Sequence, residues 1–408
     1  MTKTPNKNVP KLRFREFERE WEVNLLEELT TRKSGHTPDK SQPGYWNGGV
    51  KWVSLSDSAQ LDNKYIHSTA KEISLEGVRN SSAVLLPKGT VVLSRDAGVG
   101  KSAILASEMA VSQHFIAWIC EENDPIFNEF LYYIFQIKKE YFELQAVGST
   151  VKTIGLPLFK KLKLTLPTLP EQRKIASFLS LVDTKVAQLS RKKVLLEEYK
   201  KGCMQQLFSQ KIRFKDEDGS DFPDWEEKRL GEIFSEIADG GTPSKSNDDF
   251  FGGHIPWVVI EDIQPRICKT KNTLTPEGLA SSSAKLWPAG SVILSTGATI
   301  GRVGIADVPL STKQGICGIV PSDGVNNVWV YFLLQTLAPK FERLAQGNTI
   351  KEVRAPTIKK IVAHLPHPAE QRKIADFLSA LDRKIELVGY ELSHTRTFKQ
   401  GLLQQMFV

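Results

Sequence analysis

The sequence predicts a mixed α/β protein in which two similar globular domains are each followed by one long helix. Three observations lead to this prediction. Segment 171–208 recurs 199 positions later as 370–407, with 16 identities in 38 positions. Each copy is apolar at every seventh residue, which is typical of a helix that packs along another helix. The residues before each copy repeat more faintly, as short β-branched runs bounded by Gly and Pro, which is typical of strands and turns.

The repeats divide the chain into five segments. Two are globular and are named here the first and the second head, and two are named the spacer helices. In chain order the segments are an N-terminal tail and lead-in (1–20), the first head (21–168), the central spacer helix (169–210), the second head (211–367) and the C-terminal spacer helix (368–408).

Each head carries the same short motifs in the same order, mostly residues that fix turns and strands. What differs lies between the motifs, so one scaffold with two different surfaces is predicted. The paired motifs are 35–38 with 240–243 (Gly-x-Thr-Pro), 52–53 with 257–258 (Trp-Val), 87–94 with 288–295 (a strand after Pro-x-Gly) and 148–152 with 347–351 (Gly-x-Thr-Val/Ile-Lys). Strands are predicted at 91–93, 292–294 and 316–320, and helices near 127–145 and 326–345.

The spacer helices are predicted to pair with each other as an antiparallel coiled coil whose halves form a pseudo-two-fold repeat. Each would be roughly 57 Å long at 1.5 Å per residue. The alternative is two helices that pack on separate domains. The predicted seam consists of Ile175, Val182, Leu189, Leu196, Ile374, Leu381, Val388 and Leu402. A second, imperfect column is predicted three residues further on, at Phe178, Lys185, Lys192, Tyr199, Gln206, Phe377, Lys384, Glu391, Phe398 and Gln405.

The composition is compatible with nucleic-acid binding and argues against a metal-binding, disulfide-rich or membrane protein. The 408 residues carry a net charge of +7, which permits nucleic acid as a partner without requiring it. Segment 171–208 is the most basic at +4, through a run that is either a solvated helix face or phosphate-facing, and segment 209–369 carries −1. The four cysteines form no CxxC pair, so neither a metal site nor a disulfide framework is expected. No signal peptide or apolar span is evident, so a cytoplasmic protein without membrane contact is expected.

A glycine-rich turn follows the same strand in both heads and offers one basic side chain in each, Lys101 and Arg302. The stretch Gly98-Val99-Gly100-Lys101-Ser102 resembles part of a phosphate-binding loop, but Arg95 stands where that loop needs its first glycine. We interpret both turns as tight connections that present a cation to DNA phosphate. The alternative is a plain hairpin turn with a solvated cation.

Further candidate DNA contacts fall into two groups. Hydroxyl and ammonium donors recur in the Gly-x-Thr-Val/Ile-Lys turns and suit phosphate oxygens, although these turns could simply cap a strand. Unshared basic residues are where base discrimination would lie, because Arg can bind O6 and N7 of guanine together, although such residues are often surface ion-pair partners. The first group is Thr150, Lys152, Thr349 and Lys351, and the second is Arg95, Lys51, Arg79 and Arg266.

No catalytic pattern is visible, neither a Ser/His/Asp set, nor HExxH, nor a glycine-rich cofactor fingerprint. The order of head, helix, head and helix, with paired Glu-Gln-Arg-Lys-Ile-Ala starts at 171–176 and 370–375, resembles the specificity subunit of type I restriction–modification systems. The resemblance covers nearly the whole chain. It rests on these helices together with the Gly-x-Thr-Pro, Trp-Val and Gly-x-Thr-Val/Ile-Lys motifs.

The resemblance implies two target-recognition domains, each of which reads one half of an asymmetric, bipartite site in double-stranded DNA. The spacer helices would set the gap between the half-sites and dock two modification (adenine methyltransferase) subunits and, with them, two restriction subunits. The chain itself would hold no active site and no cofactor, since S-adenosylmethionine, ATP and Mg would belong to the partner subunits. Two alternatives stay open, a nucleotide hydrolase that uses the Lys101 turn and a coiled-coil tether without a DNA role.

Overall fold

The computed structural model describes residues 8–122, 124–346 and 351–408. These fall into two compact units. The first unit contains the described residues up to Ser190 together with Glu391–Val408, and the second is Arg191–Tyr390. Each unit therefore contains one head, part of the central spacer helix and part of the C-terminal one.

The first head contains ten strands and five short helices among its described residues. The strands are β1 (Glu22–Leu25), β2 (Thr31–Ser34), β3 (Trp46–Val53), β4 (Tyr65–Ile66), β5 (Lys71–Ile73), β6 (Val91–Ser94), β7 (Ser102–Leu105), β8 (Ala110–Val111), β9 (Phe115–Ile119) and β10 (Lys163–Leu166). The helices are α1 (Leu26–Leu29), α2 (Leu75–Arg79), α3 (Asn128–Ile137), α4 (Lys139–Gln145) and α5 (Leu156–Lys160). The central spacer helix α6 (Leu169–Phe208) follows.

The second head repeats this order with one additional short strand and with a single helix, α9, in place of α3 and α4. Its strands are β11 (Glu226–Arg229), β12 (Phe234–Asp239), β13 (Phe251–Val258), β14 (Arg266–Ile267), β15 (Asn272–Leu274), β16 (Leu286–Trp287), β17 (Val292–Ser295), β18 (Val303–Ala306), β19 (Leu310–Thr312), β20 (Ile316–Pro321) and β21 (Val362–Leu365). Its helices are α7 (Leu230–Ile233), α8 (Pro276–Ala280), α9 (Asn327–Leu344) and α10 (Ala355–Lys359), and the C-terminal spacer helix is α11 (Pro368–Gln405).

The sheets of the two heads match, apart from the additional strand β16 in the second head. The five-stranded sheet has the order β2-β9-β6-β7-β4 in the first head and β12-β20-β17-β18-β14 in the second. In both, only the last pair is parallel. A smaller sheet (β5-β3-β8, or β15-β13-β19-β16) and a two-stranded ribbon (β1-β10, or β11-β21) complete each head. The predicted mixed α/β fold with an internal repeat is confirmed.

The core of the first unit includes residues from both spacer helices. Trp118, Phe130 and Ile175 are buried together with Leu402 from the last turn of α11. The Phe407 ring stacks on Phe130 with ring centroids 5.0 Å apart. The backbone N–H of Leu12 donates to the carbonyl of Gln405 over 2.9 Å. The end of the chain is thus part of the same packed unit as its beginning.

The second unit is built in the same way from its own parts. Trp329 of α9 is fully buried beside Leu207 from the last turn of α6 and Ile374 and Leu378 from the start of α11. The Phe208 and Trp329 rings lie 6.1 Å apart. In each head, therefore, the helix that follows the last strand of the five-stranded sheet packs against the end of one spacer helix and the start of the other.

The Glu-Gln pair that opens each spacer helix is buried and fixes the preceding segments to the helix. Glu171 accepts hydrogen bonds from Arg13 Nε and Nη2, both at 2.8 Å. Glu370 accepts the equivalent bond from Arg213 Nη2 at 2.8 Å. The indole N–H of Trp21 also donates to Glu171, and that of Trp225 donates to Glu370. These hydrogen bonds to the carboxylates raise the pKa of both arginines.

The glutamine that follows each of these glutamates forms hydrogen bonds with backbone groups. The Gln172 amide oxygen accepts the N–H of Phe127, and its amide nitrogen donates to the carbonyls of Pro125 and Pro167, all at 2.9 Å. Gln371 makes matching bonds to the N–H of Asn326 and the carbonyl of Pro366. Because buried amides need partners, these contacts fix where the strand, the head helix and the spacer helix meet.

Within each unit α6 and α11 run antiparallel, as predicted. In the first unit, Asp183 pairs with Lys399 and Lys185 pairs with Glu391, so residue numbers rise on one helix as they fall on the other. In the second unit, Lys200 pairs with Asp382, and Lys193 lies beside Gly389.

The predicted seam residues are buried, except Leu196, which is half-buried. The second predicted column packs only at its start, where Phe178 and Phe377 contact the cores of the two units. Beyond these it is wrong as a packing column, because Lys185, Lys192, Tyr199, Lys384 and Phe398 are exposed. The second packed row lies four residues after the first, and its apolar members include Leu179, Leu207, Leu378, Leu392 and Met406. Spacings of four and three together give the regular coiled-coil repeat.

A lysine of this second row forms a partly buried ion pair with the other spacer helix in each unit. Lys200 Nζ lies 2.6 Å from Asp382 Oδ1 and 5.1 Å from the centre of the Phe332 ring. Lys399 Nζ lies 2.6 Å from Asp183 Oδ1 and 5.8 Å from the Tyr133 ring. The lysine side chains are only 15% and 21% exposed. Both the lysines and the aspartates are 199 positions apart and are among the identities of the sequence repeat.

Candidate nucleic-acid interface

The glycine-rich turns connect β6 to β7 and β17 to β18, as the sequence suggested. Ala97, Gly98 and Gly100 have positive φ, as do Ala298 and Gly301 in the second head. Gly100 N–H donates to Ser94 and Gly301 N–H donates to Ser295, each over 3.0 Å. These bonds close the turn on its own strand, whereas a phosphate-binding loop directs its N–H groups toward the ligand.

The basic residue of each turn lies against the 3₁₀ segment that follows the long strand β3 or β13. Lys101 Nζ is 3.4 Å from the carbonyl of Ser58, and Arg302 Nη1 is 3.4 Å from the carbonyl of Ile260. Lys101 is half-buried and Arg302 is exposed. The two cations therefore occupy equivalent places in the two heads.

A second loop joins this turn in both heads. Ile154 N–H donates to the Arg95 carbonyl over 2.8 Å, and Val353 N–H donates to Thr296 over 2.9 Å. Single β-bridges link Asp96 to Thr153 and Gly297 to Glu352. These contacts bring exposed members of the Gly-x-Thr-Val/Ile-Lys turns close to the glycine-rich turns, namely Thr150, Lys152 and Lys351; the candidate Thr349 lies outside the described residues.

The Gly-x-Thr-Pro loop completes the arrangement. Thr37 Oγ1 donates to the Gln113 amide oxygen. Gly35 is needed because a Cβ there would lie 2.1 Å from the Ser112 carbonyl oxygen. A Cβ at Gly240 would likewise lie 2.4 Å from the Thr312 carbonyl oxygen. We name the convergence of these loops the loop face. It comprises 35–37, 95–101, 112–114 and 150–153 in the first head, and 240–242, 296–302, 313–315 and 351–352 in the second.

Arg95 belongs to the loop face of the first head. Its backbone N–H donates to the His114 carbonyl over 2.9 Å. Its Nε is buried and has no hydrogen-bond partner among the described residues. A guanidinium with an unpaired N–H beside exposed hydroxyl and ammonium groups is well placed to bind an anionic or carbonyl-rich ligand.

The remaining sequence candidates make contacts elsewhere in their heads. Lys51 Nζ donates to the His67 carbonyl over 2.7 Å. Arg266 Nη2 lies 2.6 Å from Asp307 Oδ1, as a surface ion pair. Arg79 is exposed at the end of α2. The structure thus brings together the candidates from the two glycine-containing turns and Arg95. Lys51 and Arg266 instead bond to residues outside the loop face.

Sequence reasoning did not select two shared residues of the loop face as site residues. Gln113 and Gln314 occupy equivalent positions, two residues before β9 and two before β20. Each follows the short strand β8 or β19 that pairs in parallel with β3 or β13. The available signal was that a glutamine stands at the same position in both copies of the repeat, since an amide can hydrogen-bond base edges.

The described residues contain no group of three or more His, Cys, Asp or Glu side chains able to hold a metal ion. A search of the same residues for membrane spans finds no helix with the length and apolar character required. What the fold presents is two matched heads with polar, cation-bearing loop faces, each packed on a pair of long helices. This arrangement defines a two-headed binding protein.

The family model for the type I restriction modification DNA specificity domain matches the chain twice, at residues 18–198 and 223–393. The chain belongs to this family. It is therefore a specificity subunit of a type I restriction–modification system, with DNA-recognition domains, and is not itself an enzyme. Each match includes a head and much of the spacer helix that follows it.

Two relatives come from Methanocaldococcus jannaschii. The chain is 35% identical to the type I restriction enzyme MjaIX specificity subunit over 191 residues, which cover 44% of each protein. It is 25% identical to the putative MjaX specificity subunit over 420 aligned positions, which cover 97% of this chain and 95% of that one.

Solved structures support the fold. The S subunit of the type I system from M. genitalium matches with a TM-score of 0.61 at 17% identity, and covers 98% of this chain and 99% of its own. The HsdS subunit from Thermoanaerobacter tengcongensis matches with a TM-score of 0.52 at 18% identity, over 100% of this chain and 99% of its own.

Proposed function

We propose that each head reads one half of an asymmetric, bipartite site in double-stranded DNA through its loop face. The observation that carries the proposal is that both loop faces are built from the same turns and hydrogen bonds but present different side chains. Arg95 stands where the second head has Thr296, and Thr153 stands where it has Glu352. Equivalent scaffolds with unequal surfaces suit a ligand with two unequal parts.

Phosphate contacts would supply most of the affinity, and base contacts the selectivity. Lys101 and Arg302 are the shared cations, and Lys152 and Lys351 lie exposed on the neighbouring loop. These four suit phosphate because they recur at equivalent positions and so carry no information that distinguishes the half-sites. Binding should therefore weaken steeply with salt.

The spacer helices are proposed to set the distance between the half-sites and to dock two modification subunits, with two restriction subunits joining through them. Exposed apolar side chains on these helices support a docking role, since exposed apolar patches on a protein surface mark sites of contact with other proteins. Tyr199 is 56% exposed and its equivalent Phe398 is 50% exposed, while Leu181 and Leu387 are 67% and 69% exposed. S-adenosylmethionine, ATP and Mg would be bound by the partner subunits.

The proposal is tested by mapping methylated adenines in cells that contain this chain and its modification subunits. We expect one two-part motif with a fixed gap. Replacing the first head (21–168) with that of a relative should change one half of the motif and leave the other half and the gap unchanged. A change in both halves would contradict modular recognition, and random methylation would remove sequence recognition by this chain altogether. The wild-type chain in the same cells is the matched control.

A further inference from the structure

The loop face of the second head contains an open cleft with a volume of about 460 Å³. Its walls come from all four of the loops that define the face and from the 3₁₀ segment after β13. Thr242, Gly297, Gly315, Gln314 and Glu352 are among the lining residues. The cleft is large enough to admit the edge of a planar heterocycle together with water.

At the cleft, two glycines replace a hydrogen-bonded aspartate–histidine pair of the first head. In the first head, Asp96 Oδ1 and His114 Nδ1 lie 2.7 Å apart across the equivalent space. Gly297 and Gly315 hold those positions in the second head, as matching backbone bonds establish: Arg95 N–H donates to the His114 carbonyl, and Thr296 N–H donates to the Gly315 carbonyl. The two heads differ at this point in shape as well as in charge.

Cations lie around the cleft. Lys313 lines it, with its Nζ 6.0 Å from the centre of the Trp257 ring. Arg302 Nη1 lies 3.4 Å from the carbonyl of Ile260, another lining residue. Arg354 Nε is 3.7 Å from Glu352 Oε2, and the Arg354 side chain is 75% exposed. Such a rim would offset the repulsion between a carboxylate and the phosphates of an approaching duplex.

Glu352 provides the acceptor inside this rim. Its side chain is 25% exposed, and its carboxylate accepts no hydrogen bond within the described part of the chain. Its backbone is held by reciprocal 2.9 Å bonds with Gln346. Thr153, the equivalent residue in the first head, forms the matching bridges with Val147 and Asp96. The acceptor is therefore specific to the second head and stands on a fixed backbone.

We propose that this cleft receives the major-groove edge of one base and that Glu352 accepts a hydrogen bond from its exocyclic amino group, which restricts that position to cytosine or adenine. Carboxylates are suited to the amino groups of these two bases and repel the carbonyl acceptors of guanine and thymine. Gln314, shared with the first head as Gln113, is placed to hydrogen-bond the same edge or its neighbour. This inference rests on the proposed reading of DNA by the second head.

The test measures binding of the assembled methyltransferase to a library of duplexes in which every position of the recognised site is varied in turn. Glu352→Ala should reduce the preference for cytosine or adenine at one position of one half-site by about five- to a hundredfold. Glu352→Gln, which keeps an acceptor oxygen, should retain part of the preference. The matched control is Thr153→Ala, which should leave that half-site unaltered.

A second variant tests the shape of the cleft independently of the carboxylate. Gly297→Asp installs the side chain of the first head at a glycine without positive φ, where a Cβ would come no closer than 3.5 Å to Gly315 Cα. It should weaken binding to the native half-site while the protein still folds, as checked by its unfolding curve. Unchanged base preferences in both Glu352→Ala and Gly297→Asp would overturn the inference and leave the proposed function standing. A wild-type complex that selects no sequence would instead overturn the proposed function.

Discussion

At the residue scale, the most informative contacts are those of the two buried glutamates that open the spacer helices. The sequence placed Glu171 and Glu370 at helix starts, where a negative charge is favourable. Arg13 and Arg213 also stand in matching short segments, each between an aliphatic residue and a phenylalanine. The ion pairs between them join residues 158 and 157 positions apart, and nothing in local spacing indicates which charges meet over such a distance.

We expect Glu171→Gln to lower the free energy of unfolding of the first unit by about 3 kcal/mol, because it leaves the Arg13 guanidinium without its counter-ion at a site where the glutamate is almost fully buried. Hydrogen exchange measured along α6 and β10 would locate the loss. Glu198→Gln, an exposed change on the same helix, is the control and should cost almost nothing. Equal protection in both variants would contradict a stabilising role for this ion pair.

At the element scale, the spacer helices show what apolar periodicity can and cannot predict. The first column is predictable because it is almost continuously apolar. The second packed row is not, because Lys193, Lys200 and Lys399 interrupt it and lysine is normally exposed. Lys200 and Lys399 are nevertheless partly buried, because an aspartate on the other helix lies 2.6 Å from each. The apolar periodicity of one helix carries no information about an ion-pair partner on the other helix.

These lysine–aspartate pairs are expected to select the register of the helix pair, as single polar residues do in other coiled coils. Lys200→Glu would face Asp382 with a like charge and should destabilise the second unit by about 2 kcal/mol. The double variant Lys200→Glu with Asp382→Lys should recover most of that loss, which unfolding in urea would measure. Lys192→Glu, on the exposed column, is the control. No recovery in the double variant would show that the pair does not act through its charges.

At the scale of the whole molecule, the duplication made most of the fold predictable. The matched motifs gave the two heads, and the direction of the chain gave antiparallel helices. The loop faces were only partly predictable. Their shared parts, such as Lys101 and Arg302, appear in the repeat, whereas the Glu352 cleft depends on which glycines replace Asp96 and His114. The repeat identifies the shared scaffold of the two heads. It cannot identify the side chains that differ between them, because those are not repeated.

Removing one heptad from each spacer helix, residues 190–196 and 389–395, should shorten each by about 10 Å while keeping the seam in phase. We expect the gap in the methylated motif to shrink by about three base pairs, or methylation to be lost. Sequencing of methylated adenines gives the answer. Deleting five residues from each helix, which rotates the seam out of phase, should abolish assembly. An unchanged gap after the seven-residue deletion would disprove the spacing role of the helices.

The bond from Leu12 to Gln405 and the stacking of Phe407 on Phe130 have a consequence for biosynthesis. All residues of the second unit, Arg191–Tyr390, are translated before the last piece of the first unit, Glu391–Val408. The first unit can therefore complete its core only after Glu391–Val408 have been translated, whereas the second unit can fold before that. Domains usually mature in the order of translation, so this protein reverses the common order. Premature stop codons near the 3′ end of the message would damage the part of the molecule encoded at its 5′ end.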